Sequence, residues 1–258
     1  MTNLIAALGE LSGLGQEMFR QGFIVFLRVG AVMALMPAFG EQMVPQRIRL
    51  CLALAFAAIV TPAVGPQLPG PDDDPAVLLL SETAIGLALG IGLRLFVHAL
   101  QTAAAIAAQA TSLAQAFAGL GPEPQPAIGH LLTMAGLALA VASGLHIRVA
   151  EYLIGSYDVL PAGRLPQPSD LADWGLAQVV RAFSLGFQLA MPFVIASFLY
   201  NLALGVINRA MPQLMVSLIG APALTAGGLI LLAVATPVAL AIWLAAFNGF
   251  LATPFALP

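Results

Sequence analysis

The stretch NLALGVINRAMPQLMVSLIGAP, Asn201 to Pro222, lies between two long apolar runs. It carries an arginine, two prolines, a glutamine and two glycines where a plain membrane helix would have leucines. A helix broken at Pro212, with Arg209 and Gln213 beside the break, is costly in hydrocarbon. It is tolerated where protein or a polar cavity surrounds it. The rest of the chain has to supply those surroundings.

Of the 258 residues, 60% are hydrophobic and 8% are charged, against roughly 25% charged for an ordinary soluble domain. Mean hydropathy is +0.96. A water-soluble fold of this size needs a charged surface that this chain cannot make, so it reads as an all-α integral membrane protein. Its apolar runs reach the ~20 residues that span a bilayer, and they lack the period-two alternation of barrel strands. The net charge of −3 is small and scattered, and all nine basic residues are arginines. No basic cluster in the sequence points to nucleic acid or anionic lipid. Cys51, the lone cysteine, can form neither an internal disulfide nor a thiolate cluster and reads as a small buried hydrophobe. Glu10 and Glu17 precede the first apolar run and no basic region opens the chain, so no signal peptide is expected.

Six hydrophobic segments organise one membrane domain over residues 1–258: 19–39, 46–64, 76–118, 130–154, 174–207 and 223–247. Arg28 lies inside the first. It is too central for easy snorkelling, so it is expected to face protein or a water-filled path. Arg47 and Arg49 occupy the following turn. Asp72, Asp73 and Asp74 read as a solvated loop that complements the next helix N-terminus. The third segment is over-long: as one helix it would run roughly 60 Å, twice a hydrocarbon core. Its second half, Gln101 to Phe117, is mostly alanine, which permits close helix packing. A loop with three prolines follows, Gly119 to Gly129. Pro192 is expected to kink the fifth segment. Arginine-bearing loops favour six crossings with both termini outside.

Catalytic chemistry is not legible. There is no glycine-rich phosphate loop, nucleophile elbow, H-E-x-x-H or CxxC. His98, His130 and His146 have no metal-ligand spacing. The reading is of a protein that is not an enzyme, with no metal and no cofactor. Two classes remain open: a small-solute secondary transporter with broken membrane helices, or a structural subunit of a larger channel.

Three motifs and the overall length carry a resemblance. The first is FLRVGAVMALMPAFGEQMVPQRIRLCLALAFA, Phe26 to Ala57; the second is SGLHIRVAEYLIGSYDVLPAG, Ser143 to Gly163; the third is NRAMPQLMVSLIGAP, Asn208 to Pro222. Over essentially its whole length the chain resembles the FliR family, the R-type subunit of the flagellar type III export gate, and more distantly the injectisome equivalent. It departs from the family pattern at Met215, where asparagine is usual. Residues Gln109 to Pro122, QATSLAQAFAGLGP, also lack the family's glycine, methionine and Asp-Pro landmarks.

The resemblance implies long kinked helices, helical hairpins and broken segments that resemble a fusion of the P-type and Q-type subunits. It implies a structural, pore-forming subunit in the bacterial inner membrane, within the flagellar basal body. One copy would join a hetero-oligomer with P-type and Q-type subunits and meet the B-type switch subunit. The family's C-terminus lies on the cytoplasmic side, which overrides the topology from loop charges. Exported flagellar proteins would pass unfolded through the centre; nucleic acid is not a partner. A plug-like loop corresponds to about Leu113 to Pro126, with Leu113, Phe117, Leu120, Pro122 and Pro126 as candidate gate residues. Arg28, Arg49, His146, Arg209, Pro212 and Gln213 are candidates for inter-helix or inter-subunit contacts.

Overall fold

A computed structural model of the chain describes residues 2–41, 43–70, 73–110, 127–211 and 216–255. Among these residues are seven α-helices: α1 (Thr2–Leu35), α2 (Gln46–Val64), α3 (Pro75–Ala110), α4 (Ala127–Ala142), α5 (Leu145–Val159), α6 (Pro168–Ala210) and α7 (Val216–Ala252). One 3-10 turn, Gly65–Gln67, follows α2. Five helices are long and apolar enough to cross a membrane, or six spans if α4 and α5 count as one broken span. The fold is an all-α, multi-helix membrane architecture.

The described residues divide into two compact units. The first comprises Met1–Arg94, Gly144–Ala177 and Leu251–Pro258; the second comprises Leu95–Ser143 and Gln178–Phe250.

In the first unit each helix buries one stripe at helical spacing. Val25, Val29 and Val32 form it along the end of α1, with Met36 just past it; Ala53, Phe56, Val60 and Val64 form it on α2. Leu78, Ile85, Leu89 and Leu93 continue it on α3, and Leu145, Val149, Tyr152 and Leu153 on α5. Arg28 lies one helical turn from Val25 and another from Val32, so the same periodicity that buries the valines buries the arginine. Two glycines one turn apart set the α1–α3 distance. A Cβ on Gly86 would collide with the Arg28 carbonyl oxygen and lie 2.8 Å from the Ala31 Cβ. On Gly90 it would meet the Leu35 Cβ at 3.0 Å and the Val32 Cα at 3.3 Å. This Gly-x-x-x-Gly spacing lets two backbones approach as larger side chains would not.

In the second unit, the alanine-rich end of α3 is buried through Ala103, Ala104, Ala107 and Ala108. Gly186 of α6 lies against it, its missing Cβ 3.1 Å from the Ala99 carbonyl oxygen. Trp243 of α7 is fully enclosed, and its indole N–H donates to the Phe96 carbonyl at 2.8 Å. Phe247 stacks on Trp243 at 5.2 Å between ring centroids, and Phe96 packs against Phe247 at 5.3 Å. The Arg181 guanidinium lies 5.8 Å from the Phe96 ring centroid.

Several local features differ from the sequence expectation. The run 130–154 is two helices, because Ser143 and Gly144 end α4; Gly144 takes φ 87°, a left-handed conformation suited to glycine. Helix α1 begins at Thr2, well ahead of Phe19. Cys51, expected to be buried, is exposed: α2 is apolar on every side, and Cys51 falls on its outer face.

Candidate functional site around Arg28

Arg28 is the buried centre of a polar cluster inside the first unit. Its Nε donates to Glu82 Oε2 at 2.8 Å and one Nη2 hydrogen to Glu82 Oε1 at 3.1 Å, a fork-on-fork pairing. Nη2 also donates to the Leu160 carbonyl at 2.8 Å, and Nη1 donates to Ser156 Oγ at 3.0 Å. Its carbon centre stands 3.7 Å from the centroid of the Tyr157 ring. Four of the five guanidinium N–H donors thus have acceptors, and the flat face has an aromatic partner.

Ser156 and Glu82 make further hydrogen bonds, while the buried Tyr157 hydroxyl has no hydrogen-bond partner among the described residues. Ser156 Oγ donates to the Leu153 carbonyl at 2.7 Å. Glu82 Oε1 accepts the Gly163 N–H at 3.2 Å. Gly163 has φ 76°, and a Cβ there would lie 3.2 Å from Leu78 Cδ2. Arg28, Glu82 and Ser156 all have 0% exposure, so pairing, not solvation, keeps these charges in place. The cluster ties α1, α3, α5 and the connection after α5 into one frame.

A second arginine, Arg20, fixes the loop before α3. It pairs with Glu17 at 2.6 Å and donates to the carbonyls of Pro69 and Gly70 at 2.7 and 3.0 Å. Arg94 approaches Glu41 at 3.5 Å.

The other candidates are not part of this cluster. Arg49 is half-buried near the start of α2, with its Nε enclosed and without a hydrogen-bond partner. His146 is exposed on α5. Arg209 is exposed in the last turn of α6, where its charge complements the helix dipole. Pro212, Gln213, Leu113, Phe117, Leu120, Pro122 and Pro126 lie outside the described residues. Among the described residues, no group of three or more His, Cys, Asp or Glu could hold a metal ion.

Sequence reasoning had not singled out Glu82, Ser156, Tyr157 or Gly163. A signal for Glu82 was present: it is the one acid in the segment 76–118, as Arg28 is a central base in the segment 19–39. Opposite charges buried in two membrane helices are each other's natural partners. The cluster also joins two motifs, since Arg28 belongs to Phe26–Ala57 while Ser156, Tyr157, Leu160 and Gly163 belong to Ser143–Gly163.

The family model for bacterial export proteins, family 1, matches residues 19–250, a span that contains every member of the cluster. The flagellar biosynthetic protein FliR of Caulobacter vibrioides is 35% identical over 226 residues, covering 85% of this chain and 90% of the relative. The chain belongs to the FliR family. The FliR of Escherichia coli strain K12 is 30% identical over 228 residues, covering 83% of this chain and 84% of its own. That of Bacillus subtilis strain 168 is 27% identical over 225 residues, covering 84% and 86%. Membership and the membrane-spanning helices place the chain in the bacterial inner membrane, with the flagellar basal body, as part of the flagellar export apparatus.

Proposed function

We propose that this chain is a pore-forming structural subunit of the flagellar type III export gate, one copy in a hetero-oligomer with P-type and Q-type subunits, whose fold resembles a fusion of those two. The observation that carries this reading is the uncovered length of α6. Large apolar side chains stay exposed along it from Leu176 to Ile207, about 46 Å at 1.5 Å per residue. A hydrocarbon core is about 30 Å thick. Even at the ~40° extreme of helix tilt the apolar stretch spans about 36 Å. The excess cannot rest in lipid, and in water it would be a large exposed apolar surface. Neighbouring membrane subunits are the natural cover.

In this reading the Arg28 cluster holds the first unit rigid while α6 and α7 take part in assembly. The subunit hydrolyses nothing. Residues Leu113 to Pro126 close the channel until unfolded flagellar proteins pass, and the B-type switch subunit binds on the cytoplasmic side. His146 and Arg209, both exposed, are available for contacts with other subunits, and Pro212 and Gln213 are assigned the same role.

The deciding experiment is purification from membranes by a tag on this chain. Stoichiometric copurification of two small, very hydrophobic subunits is the expected result. A monomer or homodimer that moves a small solute after reconstitution would instead identify a secondary transporter. For the closing segment, deleting residues 113–126 from an assembled gate is expected to raise ion leakage, and unchanged leakage would remove that assignment.

A further inference from the structure

We infer that the groove between α1, α2 and α3 in the first unit binds an anionic phospholipid, with the phosphate at Arg49 and an acyl chain along the apolar floor. The inference rests on the chain's membrane location and not on the gate assignment.

The groove has a volume of about 440 Å³, within the usual range for small-molecule sites. Phe26, Gly30 and Ala34 of α1, Ala53 of α2 and Leu87 of α3 form its apolar floor and walls. Gly30 opens it: a Cβ there would have only the Phe26 ring nearby, at 3.7 Å. From Ala34 to Phe26 the floor runs about 12 Å along the helix. A groove of this shape, open and apolar in a membrane protein, suits a flexible hydrocarbon chain.

One end is polar and positive. Arg49 and Gln46 line it, and Arg47 is exposed beside them. Arg49 Nε is enclosed and has no hydrogen-bond partner. Arg49 is only half-buried, so the rest of its guanidinium reaches the groove surface and offers charged N–H donors to an anionic oxygen. Helix α2 also starts here after Pro45 without a side-chain cap, so its first N–H groups add positive partial charge at the same end. Among the described residues no acid lines the groove, and Glu41, in the preceding turn, approaches Arg94 instead. Two arginines are too few to register as a basic cluster along the chain. They form a site only because the fold sets one of them at the mouth of an apolar channel.

The occupant is therefore an anionic phosphodiester with a hydrocarbon tail. The test uses the full chain in nanodiscs of equal phosphatidylglycerol and phosphatidylcholine, followed by detergent washing and mass spectrometry of the retained lipid. Wild type is expected to retain phosphatidylglycerol in preference to phosphatidylcholine. Arg49→Gln is expected to lower that preference about fivefold, the worth of one cation near an anionic lipid. Arg49→Lys is expected to keep most of it. Leu87→Trp, at an exposed position, is expected to displace both lipids by filling the groove while leaving the fold intact. The inference is overturned if Leu87→Trp and Arg49→Gln retain lipid like wild type, or if wild type shows no preference. Should Arg49→Gln fail to fold, Leu87→Trp and the wild-type preference decide alone. Crosslinking of Leu87→Cys to a protein subunit in the native complex would also overturn it, since the groove would then hold a partner helix.

Discussion

Arg28 and Glu82 stand 54 residues apart in the chain and meet as a two-pronged ion pair, with Nε to Oε2 at 2.8 Å and neither side chain exposed. A pair of this kind is not a large net source of stability, because desolvating both charges offsets much of their attraction. What it does is forbid alternatives. Any helix arrangement that separates the two leaves a bare charge in an apolar interior.

Removing one partner is therefore expected to hurt more than removing both. Arg28→Ala strands the Glu82 carboxylate and is expected to cost about 3–5 kcal/mol. The double variant Arg28→Leu with Glu82→Leu should recover a large part of that. It should not recover all, because Ser156 Oγ, the Leu160 carbonyl and the Gly163 N–H lose a partner. Denaturant unfolding in detergent, measured on both single variants and the double, tests the ordering. A double variant no more stable than either single would show that the charges are not the reason for the loss.

Arg28 was legible in the sequence because a charge in the middle of an apolar run demands an explanation. Its acceptors were less so. The Leu160 carbonyl cannot be read from residue identity, since every residue carries one, and only the fold decides which points inward. Glu82 was legible in principle, but its segment drew attention for its length and its alanines. The glycines at 86 and 90 likewise match a known close-packing spacing. The break at Gly144 had a cue in the Ser-Gly pair inside an apolar run. The outward face of Cys51 had none: a helix that is apolar all round gives no signal about which side is buried. Pro192 lies inside α6, as membrane helices tolerate proline where soluble helices do not.

The α1–α3 contact predicts a graded glycine series. Gly86→Ala drives a methyl into the Arg28 carbonyl, and backbone cannot swing aside as a side chain can. A cost of about 1–3 kcal/mol is expected, as for overpacking elsewhere. Gly90→Ala, whose nearest neighbour is the Leu35 Cβ at 3.0 Å, is expected to cost less. Gly155→Ala, with nothing within 4 Å, is the neutral control. Thermal midpoints of the three purified variants give the ranking, and equal midpoints would mean that the helices separate without penalty.

Trp243 anchors the second unit through both area and its N–H. Trp243→Phe keeps most of the apolar body and removes the bond to the Phe96 carbonyl, for an expected loss of about 0.5–1.5 kcal/mol. Trp243→Ala also empties a cavity under Phe247, for about 3–5 kcal/mol. Unfolding followed by circular dichroism separates the two. If the phenylalanine variant lost as much as the alanine variant, the hydrogen bond would outweigh the packing.

Gly163 couples backbone conformation to the buried ion pair. Its φ of 76° disfavours any residue with a Cβ, and its N–H donates to Glu82 Oε1 at 3.2 Å. Gly163→Ala is expected to cost about 1–2 kcal/mol from the left-handed backbone, with further strain against Leu78. Because the donor and the carboxylate share a bond, Gly163→Ala combined with Glu82→Gln is expected to deviate from additivity by more than about 0.5 kcal/mol. The same change combined with Trp243→Phe shares no partner and is expected to add within about 0.5 kcal/mol. A cycle with Glu82 as additive as the one with Trp243 would detach Gly163 from the Arg28 cluster and leave its conformation a local property of the turn.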